Sequence, residues 1–107
     1  MKYSVGQTKT FSKRITENDI LAFANITGDK NPIHLDNNYA KKTKFKKVIS
    51  HGMLYASMIS NIIGNYLPGP GSIYVSQTID FKKPVFIDDL ITASVEILSI
   101  KDKRKIE

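Results

Sequence analysis

The sequence predicts an α+β fold in which one strongly apolar helix lies against an antiparallel sheet. Two observations carry this. From Met53 to Tyr66, the residues Met53, Leu54, Tyr55, Met58, Ile59, Ile62, Ile63 and Tyr66 leave only a stripe of small polar positions, Ser57, Ser60, Asn61 and Asn65. A helix apolar on most of its circumference is buried by its neighbours. Downstream, Ile73, Val75, Ile79 and Phe81 alternate with Tyr74, Ser76, Thr78 and Asp80, and Ile91, Ala93, Val95 and Ile97 line one face of a further segment. That is the two-residue period of strands with one buried face. A buried helix followed by strands, rather than helices and strands in strict alternation, is the α+β pattern.

Taken in order, Thr8 to Ile15 reads as a short opening strand. Thr16 is placed to cap a helix, with Asp19 three residues on as a variant of the capping box. Ile20, Leu21, Phe23, Ala24 and Ile26 give that helix an apolar side, and Thr27-Gly28 ends it, since glycine takes the left-handed conformation freely. Asp29 to Asp36 (Asp29-Lys30-Asn31-Pro32-Ile33-His34-Leu35-Asp36) follows as a loop. Pro32 fixes its own φ and pushes Asn31 into an extended conformation, so this loop is expected to hold its side chains still. Asn38 to Thr43 is expected to form one more helical turn. A lysine-rich connection leads to Val48-Ile49-Ser50, and His51-Gly52 opens the apolar helix. Leu67-Pro68-Gly69-Pro70-Gly71 stops it, and Lys82-Lys83-Pro84 and Asp88-Asp89 bracket the turn between the two later strands.

The 107 residues are expected to make one domain with a modest core. With 41% hydrophobic and 24% charged residues the chain is globular rather than disordered. The absence of cysteine excludes disulfides, thiolate ligands and a thiol nucleophile. The first residues have no apolar core of a secretory signal, and no apolar run is long enough for a membrane span, so a soluble cytoplasmic protein is expected. The formal net charge is +6, and from Asn37 to Ile79 there is no acidic residue. Lys41, Lys42, Lys44, Lys46 and Lys47 cluster within that stretch. Such a cluster suits an anion: nucleic acid, a membrane surface or a phosphate-bearing cofactor. It is equally the pattern of a solvated lysine face. Only Arg14 and Arg104 are arginines, which weighs against nucleic acid, because bidentate phosphate contacts and base readout favour Arg.

Asp29, Asp36, His34 and His51 are the candidates for chemistry. An imidazole titrates near neutral pH, and a nearby carboxylate can fix its tautomer, so the two together can exchange protons with a substrate. Spacing alone does not separate this from ordinary turn formation. His34, His51 and an Asp could also ligate a metal, but neither the zincin helix pattern nor a calcium-loop pattern is present. Gly52, heading a helix, offers an N–H to an oxyanion, or simply lets the chain turn closely. Ser57 and Ser60 either face a ligand or allow close packing.

The constellation is more specific than its parts. Asp29 to Asp36, followed after a basic connection by Ser50-His51-Gly52-Met53-Leu54-Tyr55-Ala56-Ser57, resembles the MaoC-like family of (R)-specific enoyl-CoA hydratases and dehydratases. Ile73-Tyr74-Val75-Ser76-Gln77 and Phe81-Lys82-Lys83-Pro84-Val85-Phe86 resemble that family's sheet, and the likeness runs in order from about Thr8 to about Ile100. The resemblance implies a hot-dog fold, a long central helix wrapped by an antiparallel sheet. It also implies a homodimer with substrate tunnels near the subunit interface. Members of that family continue beyond the strand that ends near Ile100, whereas this sequence ends at Glu107, so the expected domain, 1–107, is short of its last strands. By position, Asp29 and His34 match the family's acid–base pair, Gly52 its oxyanion donor, Ser60 a serine of the pocket, and Asn31 a residue that shapes the loop. The activity implied is addition of water to a trans-2-enoyl thioester, or the reverse dehydration, with coenzyme A as carrier and no metal or redox cofactor. Lys44, Lys46 and Lys47 would then meet the phosphates of coenzyme A, or an acidic acyl carrier protein. Two alternatives keep the fold and change the function: an acyl-thioesterase, or a non-catalytic module that binds acyl groups or nucleic acid. Many hot-dog thioesterases place a carboxylate on the central helix, and this helix has none. A binding module would not require an Asp and a His in that loop.

Overall fold

Thr16 starts the first helix as its side chain predicts. Asp19 N–H donates to Thr16 Oγ1 (3.2 Å) and Thr16 N–H donates to Asp19 Oδ2 (2.9 Å), so the box is closed in both directions and α1 runs Glu17–Thr27. Gly28 ends it at φ 79°, and its N–H donates to Ala24 O at 2.9 Å. These coordinates, a computed structural model, describe residues 3–101 and 105–107.

The remaining elements are β1 (Thr8–Arg14), α2 (Pro32–Leu35), α3 (Asn37–Lys41), α4 (Gly52–Ala56), α5 (Met58–Asn65), β2 (Leu90–Glu96), β3 (Ile100–Lys101) and β4 (Lys105–Ile106). β1 pairs with β2, and β3 with β4 in an antiparallel ladder with Ile100 opposite Ile106. In β2, Ile91, Ala93 and Val95 are the half-buried positions between exposed neighbours, the alternation expected. Among the described residues no helix is long and apolar enough to cross a membrane.

The chain divides into two compact units. One comprises Met1–Ser12, Met58–Gln77 and Thr92–Glu107, the other Lys13–Ser57 and Thr78–Ile91. In the first, Ile62, Leu67 and Ile97 form a buried cluster against which Phe11, Ala93, Val95 and Ile100 pack. In the second, Ile15, Ile20, Ala24, Ala40, Val48, Leu54 and Val85 are buried. There the chain from Ile49 is tied on both sides. Ile49 N–H donates to Ile33 O and Ser50 N–H to Val85 O (3.2 and 2.7 Å), and Ile49 bridges Phe86.

Three expectations are corrected. The apolar stretch from Met53 to Tyr66 is not one helix. It is broken at Ser57, whose hydroxyl donates to Leu54 O and whose N–H serves the carbonyls of Met53 and Leu54. A serine that bonds back onto the preceding turn competes with the helix ladder. Nor is the stretch buried all round: Leu54 and Ile62 are inside, whereas Met53, Ile59 and Tyr66 are exposed. Finally, Ser72 to Phe81 forms no strand. Its alternation is present, yet Ile73 and Val75 are 83% and 84% exposed. Alternation decides which side chains share a face; a ladder also needs a neighbouring backbone to pair with.

Candidate active site

The loop after α1 is built by its own side chains. Asp29 N–H donates to Thr27 Oγ1 (3.1 Å), Asn31 N–H donates to Asp29 Oδ1 (3.2 Å), and Ile33 N–H donates to Asn31 Oδ1 (3.3 Å). Asn31, at φ −52° and ψ 126°, is thereby the extended N-cap that Pro32 requires, and α2 follows at once. The expected loop thus contains a helical turn, and His34 is carried on it. Asp36 is accounted for separately: its Oδ1 accepts the N–H groups of Asn38 and Tyr39 (2.9 and 3.1 Å) and caps α3.

His34 Nδ1–H donates to Ile49 O at 2.8 Å. A backbone carbonyl can only accept, so that bond sets the tautomer and leaves Nε2 with its lone pair free. His51 is buried, and its Nε2–H donates to the carbonyl oxygen of Asp29 at 2.9 Å. The two imidazoles stack with centroids 3.9 Å apart and planes 28° from parallel, and Phe23 lies tilted against His51 at 4.8 Å.

One atom each from Asp29, His34 and His51 falls within 4.8 Å of the others. Two groups bonded to one water, at about 2.8 Å each and a roughly tetrahedral angle, stand about 4.5 Å apart. Asp29 and His34 are therefore near enough to share a water. The same three groups also lie close enough to one another to be considered as ligands of a metal ion.

A cavity of about 710 Å³ opens over this group, lined by Phe23, Thr27, Asp29, His34, Lys44, Phe45, Ile49 to Met53, Tyr55 and Phe81 to Pro84. Gly52 is in its wall. A Cβ there would stand 2.8 Å from the Phe81 ring, so close packing under Phe81 calls for glycine. Gly52 is the first residue of α4, where backbone N–H groups have no carbonyl one turn back. Tyr55 meets Phe81 edge to face at 6.0 Å.

The structure brings Asp29, His34 and Gly52 to one wall, with Asn31 shaping the loop beneath them. Ser60 is not among the lining residues; it is exposed on α5, in the other unit. The lysines divide. Lys44 lines the cavity, whereas Lys46 and Lys47 line a second depression of about 470 Å³ with Asn37, Lys41, Val48, Phe86, Ile87 and Asp89. Lys82 and Lys83 stand at the first cavity instead, beyond the reach of a reading based on the run from Lys41 to Lys47.

The MaoC-like domain profile matches residues 2–107. The chain belongs to the MaoC-like domain family. Among MaoC-like relatives, the (R)-specific enoyl-CoA hydratase of Rhodospirillum rubrum is 46% identical over 94% of this chain and 69% of its own length. The 3-hydroxybutyryl-CoA dehydratase of Methylorubrum extorquens is 44% identical over 94% of this chain and 64% of its own length. The solved structure of the (R)-hydratase from Aeromonas caviae superposes with a TM-score of 0.92 at 44% identity, covering 95% of this chain and 77% of that one. The chain spans about two thirds of the length of these two curated relatives. Its fold is the hot-dog fold of these MaoC-like R-hydratases, with helix and antiparallel sheet mixed as the sequence led us to expect.

Proposed function

We propose that the chain catalyses the (R)-specific hydration of a trans-2-enoyl-CoA to an (R)-3-hydroxyacyl-CoA, and the reverse dehydration. One observation carries the reading: Asp29 and His34 meet at the wall of one cavity, near enough to share a water, with His34 Nε2 left free by the bond from Nδ1–H to Ile49 O. The water oxygen bonds to Cβ of the enoyl thioester. One member of the pair takes a proton from that water as it attacks, and a proton is delivered to Cα, so that H and OH are added across the double bond. The negative charge that develops on the thioester oxygen is met by the Gly52 N–H. This is acid–base chemistry and calls for no metal or redox cofactor.

Lys44, Lys82 and Lys83, at the cavity, suit the phosphates of coenzyme A or the acidic surface of an acyl carrier protein; Lys46 and Lys47 would contribute only from the second depression. The roles of Ser60 as a pocket serine and of Asn31 as loop former rest on the resemblance, supported for Asn31 by its cap on α2. The same reading is of a cytoplasmic homodimer.

The test is an absorbance assay with crotonyl-CoA followed by chiral analysis of the product. Loss of the enoyl absorbance with formation of the (R)-3-hydroxy isomer supports the reading. Release of free coenzyme A without hydration replaces it with the thioesterase reading.

A further inference from the structure

His51 is absent from the chemistry just described, yet it touches both members of the pair. We propose that His51 is the positioning residue of the Asp29–His34 pair, an inference that rests on the hydratase reading above. Its Nε2–H reaches across 22 positions of sequence to the Asp29 carbonyl at 2.9 Å. Otherwise, among the described residues, Asp29 is held by local bonds to Thr27 and Asn31, and it is exposed directly after the left-handed Gly28. The bond from His51 ties the backbone that carries the carboxylate to the start of α4, where Gly52 stands. The other contact is with His34. Its Nδ1–H is pinned to Ile49 O, which leaves the ring free to swing about that bond, and the His51 ring stacked at 3.9 Å removes this freedom. Phe23 backs His51 at 4.8 Å, so the plate that His34 rests on is itself fixed.

The cost of His51 argues for the same role. The residue is 2% exposed, and among the described residues its Nδ1 has no hydrogen-bond partner. A buried acceptor without a partner destabilises the fold, whereas an apolar ring of similar size would not. If His51 only filled space between Phe23 and His34, phenylalanine would serve as well or better. An imidazole is retained where its Nε2–H has a task.

Two substitutions in the full chain divide the task. His51→Phe keeps the ring and removes the donor; His51→Gln keeps a donor and removes the ring. For His51→Phe we expect unchanged or raised thermal stability with kcat down by about 10–100-fold and KM moved less than about threefold, because misplacement of catalytic groups acts on the transition state more than on binding. Placed on Asp29→Asn, His51→Phe should add less than about threefold, since the donor it removes acts through Asp29. His51→Gln should also lower kcat, through loss of the stack. In the unsubstituted protein, long-range ¹H–¹⁵N spectra should show His51 protonated at Nε2 and His34 at Nδ1. That measurement decides the matter if the variants fail to fold, and the opposite tautomer at His51 overturns the proposal. Wild-type kcat in His51→Phe, beside inactive Asp29→Asn and His34→Gln, also overturns it while the hydratase reading stands. If Asp29→Asn and His34→Gln are themselves fully active, both fall together.

Discussion

Asp29 and His34 differ in how they are held, and that difference shapes what their loss should do. Asp29 is exposed, its carboxylate bonded by Asn31 and its backbone by His51, while His34 is half-buried and anchored to Ile49. Neither contributes a buried apolar side chain, so Asp29→Asn and His34→Gln should each lower hydration of crotonyl-CoA by about three orders of magnitude or more and shift stability by only about 1 kcal/mol or less. Because the two act on one water, the double variant should be scarcely slower than either single one, a non-additivity that kinetics on the three proteins will read directly. The lysines permit a second prediction at the same scale. Contacts to the phosphates of coenzyme A lie far from the reacting carbons and are equal in ground and transition states, so they affect KM rather than kcat. Replacing Lys44, Lys82 and Lys83 with Gln should raise KM for crotonyl-CoA about tenfold and leave it unchanged for a short crotonyl thioester without the nucleotide. Lys46→Gln with Lys47→Gln should give a smaller rise, and added salt should mimic the first set by screening exposed charge. The sequence made the loop pair visible because Asp29, Asn31, Pro32 and His34 fall within six consecutive positions. It offered His51 as a candidate without a role and left Lys82-Lys83 out of the site, because their places follow from chain returns that bring positions 22 and more residues apart together.

At the scale of the element, α1 offers the closest agreement between sequence and structure, since every bond of its cap lies within four residues. Thr16→Ala should therefore cost about 1 kcal/mol of stability in denaturant unfolding, the usual worth of an N-cap. Asp19 adds a pH dependence. The Thr16 backbone N–H, helped by Lys13 at 3.0 Å, holds its carboxyl below the ordinary value of 3.8 despite partial burial. A carboxylate with a depressed folded-state pKa stabilises the protein above its unfolded value, and that contribution disappears as pH falls through the folded value. The stability gap between wild type and Asp19→Asn should therefore be largest above about pH 5 and close toward pH 2–3, as urea titrations across that range will show. Elements whose formation depends on distant partners were less legible. Ser57 is one small polar residue in an apolar run and reads as a packing stripe, while its back-bond to Leu54 divides α4 from α5. Ile73 and Val75 alternate correctly but find no ladder among the described residues, because alternation specifies a face and not a neighbour.

At the scale of the whole molecule, the apolar surface is what calls for explanation. Ile73, Val75, Met53, Ile59, Tyr66 and Leu98 are all exposed, and fully burying one large aliphatic side chain is worth about 1.5–3 kcal/mol. Contiguous exposed apolar side chains mark an interaction site, and Ile73 and Val75, two positions apart, are the most exposed of these. A second copy is the simplest cover, because a two-fold interface needs only one self-complementary patch. We therefore predict a homodimer. Sedimentation velocity or light scattering at micromolar concentration should give twice the 12.0 kDa chain mass, and dilution should lower it. Ile73→Lys with Val75→Lys separates an interface from a segment that merely lies open. A lysine on an open segment is solvated and changes the mass not at all, whereas at an interface its charge is desolvated without a partner and the dimer is lost. A wild-type protein that stays monodisperse at the single-chain mass, or a double variant with the wild-type mass, would show that Ile73 and Val75 do not form the contact.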